Sequence, residues 1–248
     1  MQKLIILGTA HAIPDEDHEN THLAIIGEDH QILIDCVGNP VVRLRQAGIE
    51  IDKLTDIFLT HFHPDHISGV PSLLMSMWLL GRRDPLNIYG LHHTLDRIEK
   101  LMGFYEWDQW PDFFPIIFHR LPAETMTLAM QCDELTIFTS PVEHLIPTIG
   151  LRIESHHTGK VLAYSCDTQP CNAVVELAAK ADVLIHEATG QFQGHSSASQ
   201  AGSIAAQAEV GSLYLVHYNP EDEALETQAQ KRFSGPVTRA EDFMNIEF

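Results

Sequence analysis

Short apolar runs rich in β-branched residues alternate along this chain with longer stretches whose apolar positions recur every three or four residues. The short runs predict strands over residues 4–7, 23–26, 32–34, 56–60, 87–89, 135–139, 148–154, 161–165, 183–186, 213–216 and 243–248. The longer ones predict helices over 70–80, 94–102, 171–181, 197–208 and 221–233. End signals agree with several of these. Pro170 stands at the start of the third helix, and serines open the fourth, which stops before Gly211. The fifth runs from acidic residues to Lys231 and Arg232, as the helix dipole favours. Strands lead each half of the chain, about 1–115 and 116–248, and helices follow them. This order predicts an α/β fold of two sheets packed face to face with helices outside. No linker or low-complexity tract interrupts it, so one domain is expected over 1–248, and the halves match in element order only.

The composition is that of a globular protein, with 44% hydrophobic and 20% charged residues. No stretch approaches the ~20 apolar residues of a membrane span, and the run at 4–7 is too short for a signal peptide. Cys36, Cys132, Cys166 and Cys171 are scattered without a CxxC pair, as expected of reduced thiols in a cytoplasmic protein. The formal net charge is −19, which opposes general binding to nucleic acid or to anionic membranes. The 16 histidines cannot offset it near neutral pH, but they are potential metal ligands.

That chemistry concentrates in Thr60-His61-Phe62-His63-Pro64-Asp65-His66, directly after an apolar strand. In extended backbone His61 and His63 point to the same side. Asp65 and His66 fall at the turn into the next helix and can face a second ion. Three further polar residues close apolar strands: His144 after the strand at 135–139, Asp167 after VLAYSC, and His217 after SLYLV. The carboxyl ends of strands are where open α/β sheets commonly place ligands. Together these seven residues are enough for two ions with one shared carboxylate, leaving room for a water.

THFHPDHISG, followed in order by His144, Asp167 and His217, resembles the metallo-β-lactamase superfamily, and within it the ribonuclease Z branch. LGTA, Asn20-Thr21, LIDC, SGVPSLL, HEAT (186–189) and GHSSASQAG (194–202) extend the likeness over nearly the whole length. The resemblance implies a four-layer αββα sandwich with a dinuclear site at one edge. It implies that His61, His63 and His144 hold one divalent ion and Asp65, His66 and His217 the other, with Asp167 bridging. The metal would be zinc, with manganese or iron as alternatives. A hydroxide shared by the ions would be the nucleophile, and Asp65 would take or orient its proton. His195 would contact the substrate phosphate and stabilise or protonate the departing oxygen, oriented by Glu187. His186 and Thr189 read as packing or supporting residues.

Two departures from the branch bear on substrate. The long basic arm that grips transfer RNA, often inserted after the counterpart of His144, is missing between His144 and Asp167. The branch's basic PxKxRN segment is replaced by PDEDHEN at 14–20. LIDC is also followed by Val37-Gly38-Asn39-Pro40 in place of a glycine-rich turn. With only 15 lysines and arginines, multiple phosphate contacts are in short supply, which disfavours folded tRNA. The expected activity is a metal-dependent phosphodiesterase acting on small or short substrates. The alternatives are a lactone, thioester, sulfate-ester or β-lactam hydrolase on the same site, a tRNA 3′-processing endoribonuclease, and, in another class, an iron-binding redox or sensing protein. Phe104, Tyr105, Trp107, Trp110, Phe113, Phe114 and Phe118 form a dense aromatic segment that reads as a lid, a homodimer face or core.

Overall fold

A computed structural model describes residues 2–248. The first sheet contains β1 (Lys3–Gly8), β2 (His22–Ile26), β3 (Gln31–Ile34), β4 (Asp56–Phe58), β5 (Leu86–Leu91) and β6 (Ile116–Leu121). The second contains β7 (Thr127–Gln131), β8 (Leu135–Val142), β9 (Thr148–Ser155), β10 (Val161–Tyr164), β11 (Val183–Ala188), β12 (Ser212–Tyr218) and β13 (Val237–Arg239). The last strand, β14 (Asn245–Glu247), returns to the first sheet beside β1. The strand orders are β14-β1-β2-β3-β4-β5-β6 and β13-β12-β11-β10-β9-β8-β7. In each sheet the antiparallel part gives way to a parallel part, from β3 onward and from β10 onward.

Period-two alternation builds the layers. On β1, Leu4 and Ile6 face the space between the sheets, while Ile5 and Leu7 face the helices. The inner core continues through Leu23, Ile25, Ile137, Leu151 and Ile185. Helices α1 (Pro40–Gln46), α2 (Pro64–Ile67), α3 (Val70–Leu79) and α4 (His92–Gly103) follow strands of the first sheet. Those of the second are α5 (Asn172–Leu177), α6 (Ala198–Gln207) and α7 (Leu225–Gln230). Apolar clusters including Leu44, Leu73, Leu95 and Ile98 on one side, and Val174, Ala201, Ile204 and Leu225 on the other, complete the αββα sandwich. A capping box between Ser197 and Gln200 starts α6.

The hydrophobic pattern locates most elements but misses α1, α2, β6, β7 and β13, and Asp65 and His66, expected at a turn, lie in α2. Helix α1 begins at Pro40 behind the Asn39 cap, within a stretch dominated by turn formers. Strand β6 carries polar His119 and Arg120, and β7 is half exposed, so neither shows a clean apolar run. The midpoint division also shifts, because β6 belongs to the first sheet and β14 rejoins it. Helices α5 and α7 are shorter than their periodic stretches. Within the aromatic segment Phe114 is buried, and Trp107, Trp110, Phe113 and Phe118 pack against the outer cluster of the first sheet. Trp78 stacks on Trp110 with ring centroids 4.9 Å apart. Phe104 and Tyr105 stay exposed. Among the described residues, no helix is long and apolar enough to cross a membrane.

Away from the carboxyl ends of β3 and β4, one buried carboxylate joins the sheets. Glu134, at the start of β8, accepts the backbone N–H groups of Glu28 (2.5 Å), Asp29 (3.3 Å) and His30 (3.1 Å) in the turn between β2 and β3. Its carbonyl accepts from Gln2 Nε2. Replacing Glu134 with alanine strands those donors, so chemical denaturation should show a loss of about 2–4 kcal/mol in unfolding free energy. The backbone contacts of β3 and β4 at their carboxyl ends should be unchanged, because among the described hydrogen bonds the Glu134 side chain holds only the turn at 28–30.

Candidate metal centre

The seven residues singled out from the sequence converge at the carboxyl ends of β4, β8, β10 and β12 and on α2, which follows β4. His61 Nε2 and His144 Nε2 lie 3.0 and 3.1 Å from His63 Nδ1. Beside them, Asp65 Oδ2, His66 Nε2 and His217 Nε2 gather on Asp167. Both His66 Nε2 and His217 Nε2 are 3.4 Å from Asp167 Oδ2. Asp65 Oδ2 is 3.4 Å from His217 Nε2 and 3.7 Å from His66 Nε2. Asp167 Oδ2 also lies 3.9 Å from His61 and 4.0 Å from His144, between the two groups.

The backbone turns sharply to aim these groups. Asp35, Cys166 and His217 adopt left-handed conformations, with φ of 62°, 53° and 49°. His217 coincides with a register shift between β11 and β12, where Glu187 pairs with Val216 but Ala188 pairs with Tyr218. A bulge at this point frees His217 from the ladder and redirects it. Asp65 and His66 lie in α2, which starts at Pro64.

Four of the five clustered imidazoles carry their Nδ1 protons outward. His66 Nδ1 donates to Asp35 Oδ2 at 2.8 Å, and His144 Nδ1 donates to the Gly194 carbonyl at 2.7 Å. Thr189 Oγ1 donates to the His217 carbonyl and therefore accepts from His217 Nδ1, both at 2.8 Å. Thr60 Oγ1 likewise donates to Asp35 and accepts from His61 Nδ1 at 3.1 Å. The Nε2 atoms of all four point inward, toward one another and toward the two carboxylates. His66 Nε2 and Asp167 Oδ1 are buried without a hydrogen-bond partner. This donor set fits divalent cations: tetrahedral Zn–N bonds of about 2.0–2.1 Å separate ligand atoms by roughly 3.3 Å.

Electrostatics favour the same occupants. Burial is the leading cause that lowers the pKa of His61, His63 and His144, keeping them in the neutral form that binds metals. His66 differs: burial opposes its charge, but Asp167 and Asp35 outweigh burial and raise its pKa well above the ordinary value. Burial likewise opposes ionisation of Asp167, but His217 and His66 outweigh it and hold that carboxyl well below its ordinary value, so without an ion the positive charge in the cluster is a proton that a divalent cation would replace. Cys166 Sγ sits behind His61, 3.6 Å from Nδ1, and burial pushes its thiol up, so it packs there as a neutral group.

His195 stands over both groups, edge-on to His144 (centroids 4.9 Å, 75°) and parallel to His217 (5.8 Å, 9°). Its Nδ1 donates to Glu187 Oε1 at 3.0 Å. Burial disfavours the charged ring, yet Glu187 overcomes it and raises the His195 pKa. Glu187 is itself buried and fixed by the N–H groups of Thr168 (2.7 Å) and Thr189 (3.1 Å). His186 is buried in β11, away from the cluster, with Nδ1 on the Glu187 carbonyl.

Sequence reasoning leaves Asp35 and Thr60 without a role, although LIDC and THFHPDH contain them. The available signal is an acidic residue closing the apolar strand β3, the same pattern that marks Asp167.

The family model described as anti-Pycsar protein Apyc1 matches residues 2–243. A ribonuclease Z from Mycobacterium sp. (strain KMS) is 30% identical, aligning 89% of this chain with 85% of that protein. The metallo-β-lactamase fold protein YhfI from Bacillus subtilis superposes with a TM-score of 0.85 at 21% identity, over 100% of this chain and 99% of that one. The short form of human tRNase Z superposes with a TM-score of 0.80 at 25% identity, over 99% and 98%.

Asp35→Asn isolates the outward contact of the cluster, because asparagine tolerates the left-handed backbone at this position. The amide has lost the carboxylate's charge, so equilibrium dialysis against a competing chelator should show metal affinity reduced about 10- to 100-fold.

Proposed function

This chain belongs to the anti-Pycsar protein Apyc1 family, in the ribonuclease Z-like branch of the metallo-β-lactamase superfamily, and from that premise we propose that this metal-dependent hydrolase cleaves small or short phosphodiesters. The observation that carries the reading is His195: an imidazole held by buried Glu187 and facing both ligand groups, where a phosphoryl oxygen would sit.

His61, His63 and His144 would hold one ion and Asp65, His66 and His217 the other, with Asp167 shared between them. Bound divalent cations, zinc by the histidine-rich donor set, supply Lewis acidity that activates water and neutralises phosphoryl charge. The chain's own groups handle the protons. Asp65, the more exposed carboxylate of the cluster, takes the proton of the attacking water. The water oxygen bonds to phosphorus as the bond to the leaving oxygen breaks. His195 donates its Nε2 proton to that oxygen, and Glu187 stabilises the charged ring beforehand. The products are a phosphomonoester and an alcohol.

The surroundings favour small substrates. Between His144 and Asp167 the chain runs as turn, β9, turn and β10, with no inserted arm. The loop at 14–20 presents Asp15, Glu16, Asp17 and Glu19 where a polyanion would need cations. The ribonuclease Z relatives favour a second reading, tRNA 3′ processing.

Purified protein should hydrolyse bis-p-nitrophenyl phosphate and lose that activity to a chelator, with divalent metal restoring it. His195→Ala should lower kcat about 10²- to 10³-fold for diesters with poor leaving groups. Efficient cleavage of precursor tRNA at physiological salt would favour the second reading. A lactone turned over orders of magnitude faster than any diester would overturn the first.

A further inference from the structure

Outside the motif residues, one more imidazole is built into the rim of the site. His11 follows Ala10, which bridges both Asn20 and Tyr218 and so carries the end of β1 alongside the end of β12. The His11 N–H donates to the Tyr218 carbonyl at 3.0 Å, one residue beyond His217. The His11 carbonyl accepts from Asn20 Nδ2 at 2.7 Å. The ring is fixed as well: Nδ1 accepts the Ile13 N–H at 3.2 Å, which places the neutral ring's proton on Nε2. The half-buried ring lies in the electrostatic neighbourhood of His217, Asp65 and His195.

The loop that carries it is braced. Asp15 accepts the N–H groups of Asp17 (2.9 Å) and His18 (2.8 Å), and Asp242 accepts the N–H of Glu19 at 2.9 Å. These bonds hold the loop without using the His11 Nε2 edge, where the neutral ring carries its donor. Its neighbours on the loop are acidic, so the segment combines one neutral donor with a carboxylate rim.

We infer that His11 is a substrate-binding residue, donating Nε2–H to a non-bridging phosphoryl oxygen from the His217 side while His195 serves the leaving oxygen. This rests on the phosphodiesterase reading above. A neutral donor binds a phosphoryl oxygen without offering the charge that attracts a polyanion, so it selects for a single phosphodiester presented at the mouth of the site.

The test uses full-length, metal-loaded protein carrying His11→Ala or His11→Gln, with bis-p-nitrophenyl phosphate as substrate and inorganic phosphate as competing ligand. Loss of one hydrogen bond to an anionic oxygen should reduce kcat/KM about 10- to 100-fold in His11→Ala. Inhibition by phosphate should weaken in parallel, metal content should stay at the wild-type value, and glutamine should recover part of the loss. Unchanged kinetics and phosphate inhibition in His11→Ala, while the wild-type protein cleaves the diester and loses that activity to a chelator, would overturn the role of His11 and leave the phosphodiesterase reading standing. Loss of metal in His11→Ala would also overturn it, making the residue a support for His217. Wild-type protein that cleaves no diester would overturn both, because the donor would then lack its acceptor.

Discussion

Everything at this site depends on where the imidazole protons are held. A histidine offers one donor and one acceptor edge when neutral, and the surrounding chain decides which edge faces inward. Asp35 sets this directly for His66 and, through the Thr60 hydroxyl, for His61. The Gly194 carbonyl does so for His144, and Thr189 for His217. With their Nδ1 edges committed outward, the inner atoms are imidazole Nε2 atoms and carboxylate oxygens crowded within a few ångströms of one another. Such a cluster is costly in a protein interior unless positive charge occupies it. The two sheets make that cluster possible by bringing strand ends with left-handed or bulged backbone to one edge.

The same logic extends to the layer above the ligands. Glu187 is buried, accepts two backbone N–H groups and presents its remaining capacity to His195. Its position on β11, between Asp167 at the end of β10 and His217 on β12, places the supported histidine over both ligand groups. A phosphoryl group there meets cationic chemistry from below and a charged imidazole from the side. The neighbouring loop at 14–20 adds Asp15, Asp17 and Glu19, so the charge on that loop is negative.

Much of this is legible in the sequence, and the limits have physical causes. The four-layer architecture follows from apolar runs that alternate between two buried faces, as Leu4 and Ile6 do against Ile5 and Leu7. The residues His61, His63, Asp65 and His66 announce themselves by spacing, while His144, Asp167 and His217 are visible because each ends an apolar strand. Strands β6 and β7 escape notice because their polar and half-exposed residues break the period. Asp35 closes a strand in the same way as Asp167, but nothing in the local sequence tells a ligand from the residue that orients one. What separates the two is the contact across the fold, here His66 Nδ1 on Asp35 Oδ2, which turns Asp35 away from the candidate ion positions.

His11 shows the same limit in another form. Its neighbourhood is created by pairing between the first strand of one sheet and a late strand of the other, separated by some two hundred residues, so no local pattern links it to His217. The Ile13 N–H and the Asn20 side chain, both supplied by its own loop, fix the ring and backbone in place. Local turn chemistry and a single long-range bridge thus convert a histidine in a polar loop into an oriented donor at the site. Because the loop is braced by Asp15 and Asp242, the entropy of ordering that donor is lost on folding and need not be lost again when substrate binds. A donor held in this way is preorganised by its own loop, so its contribution to binding an anion is not offset by a further loss of loop entropy.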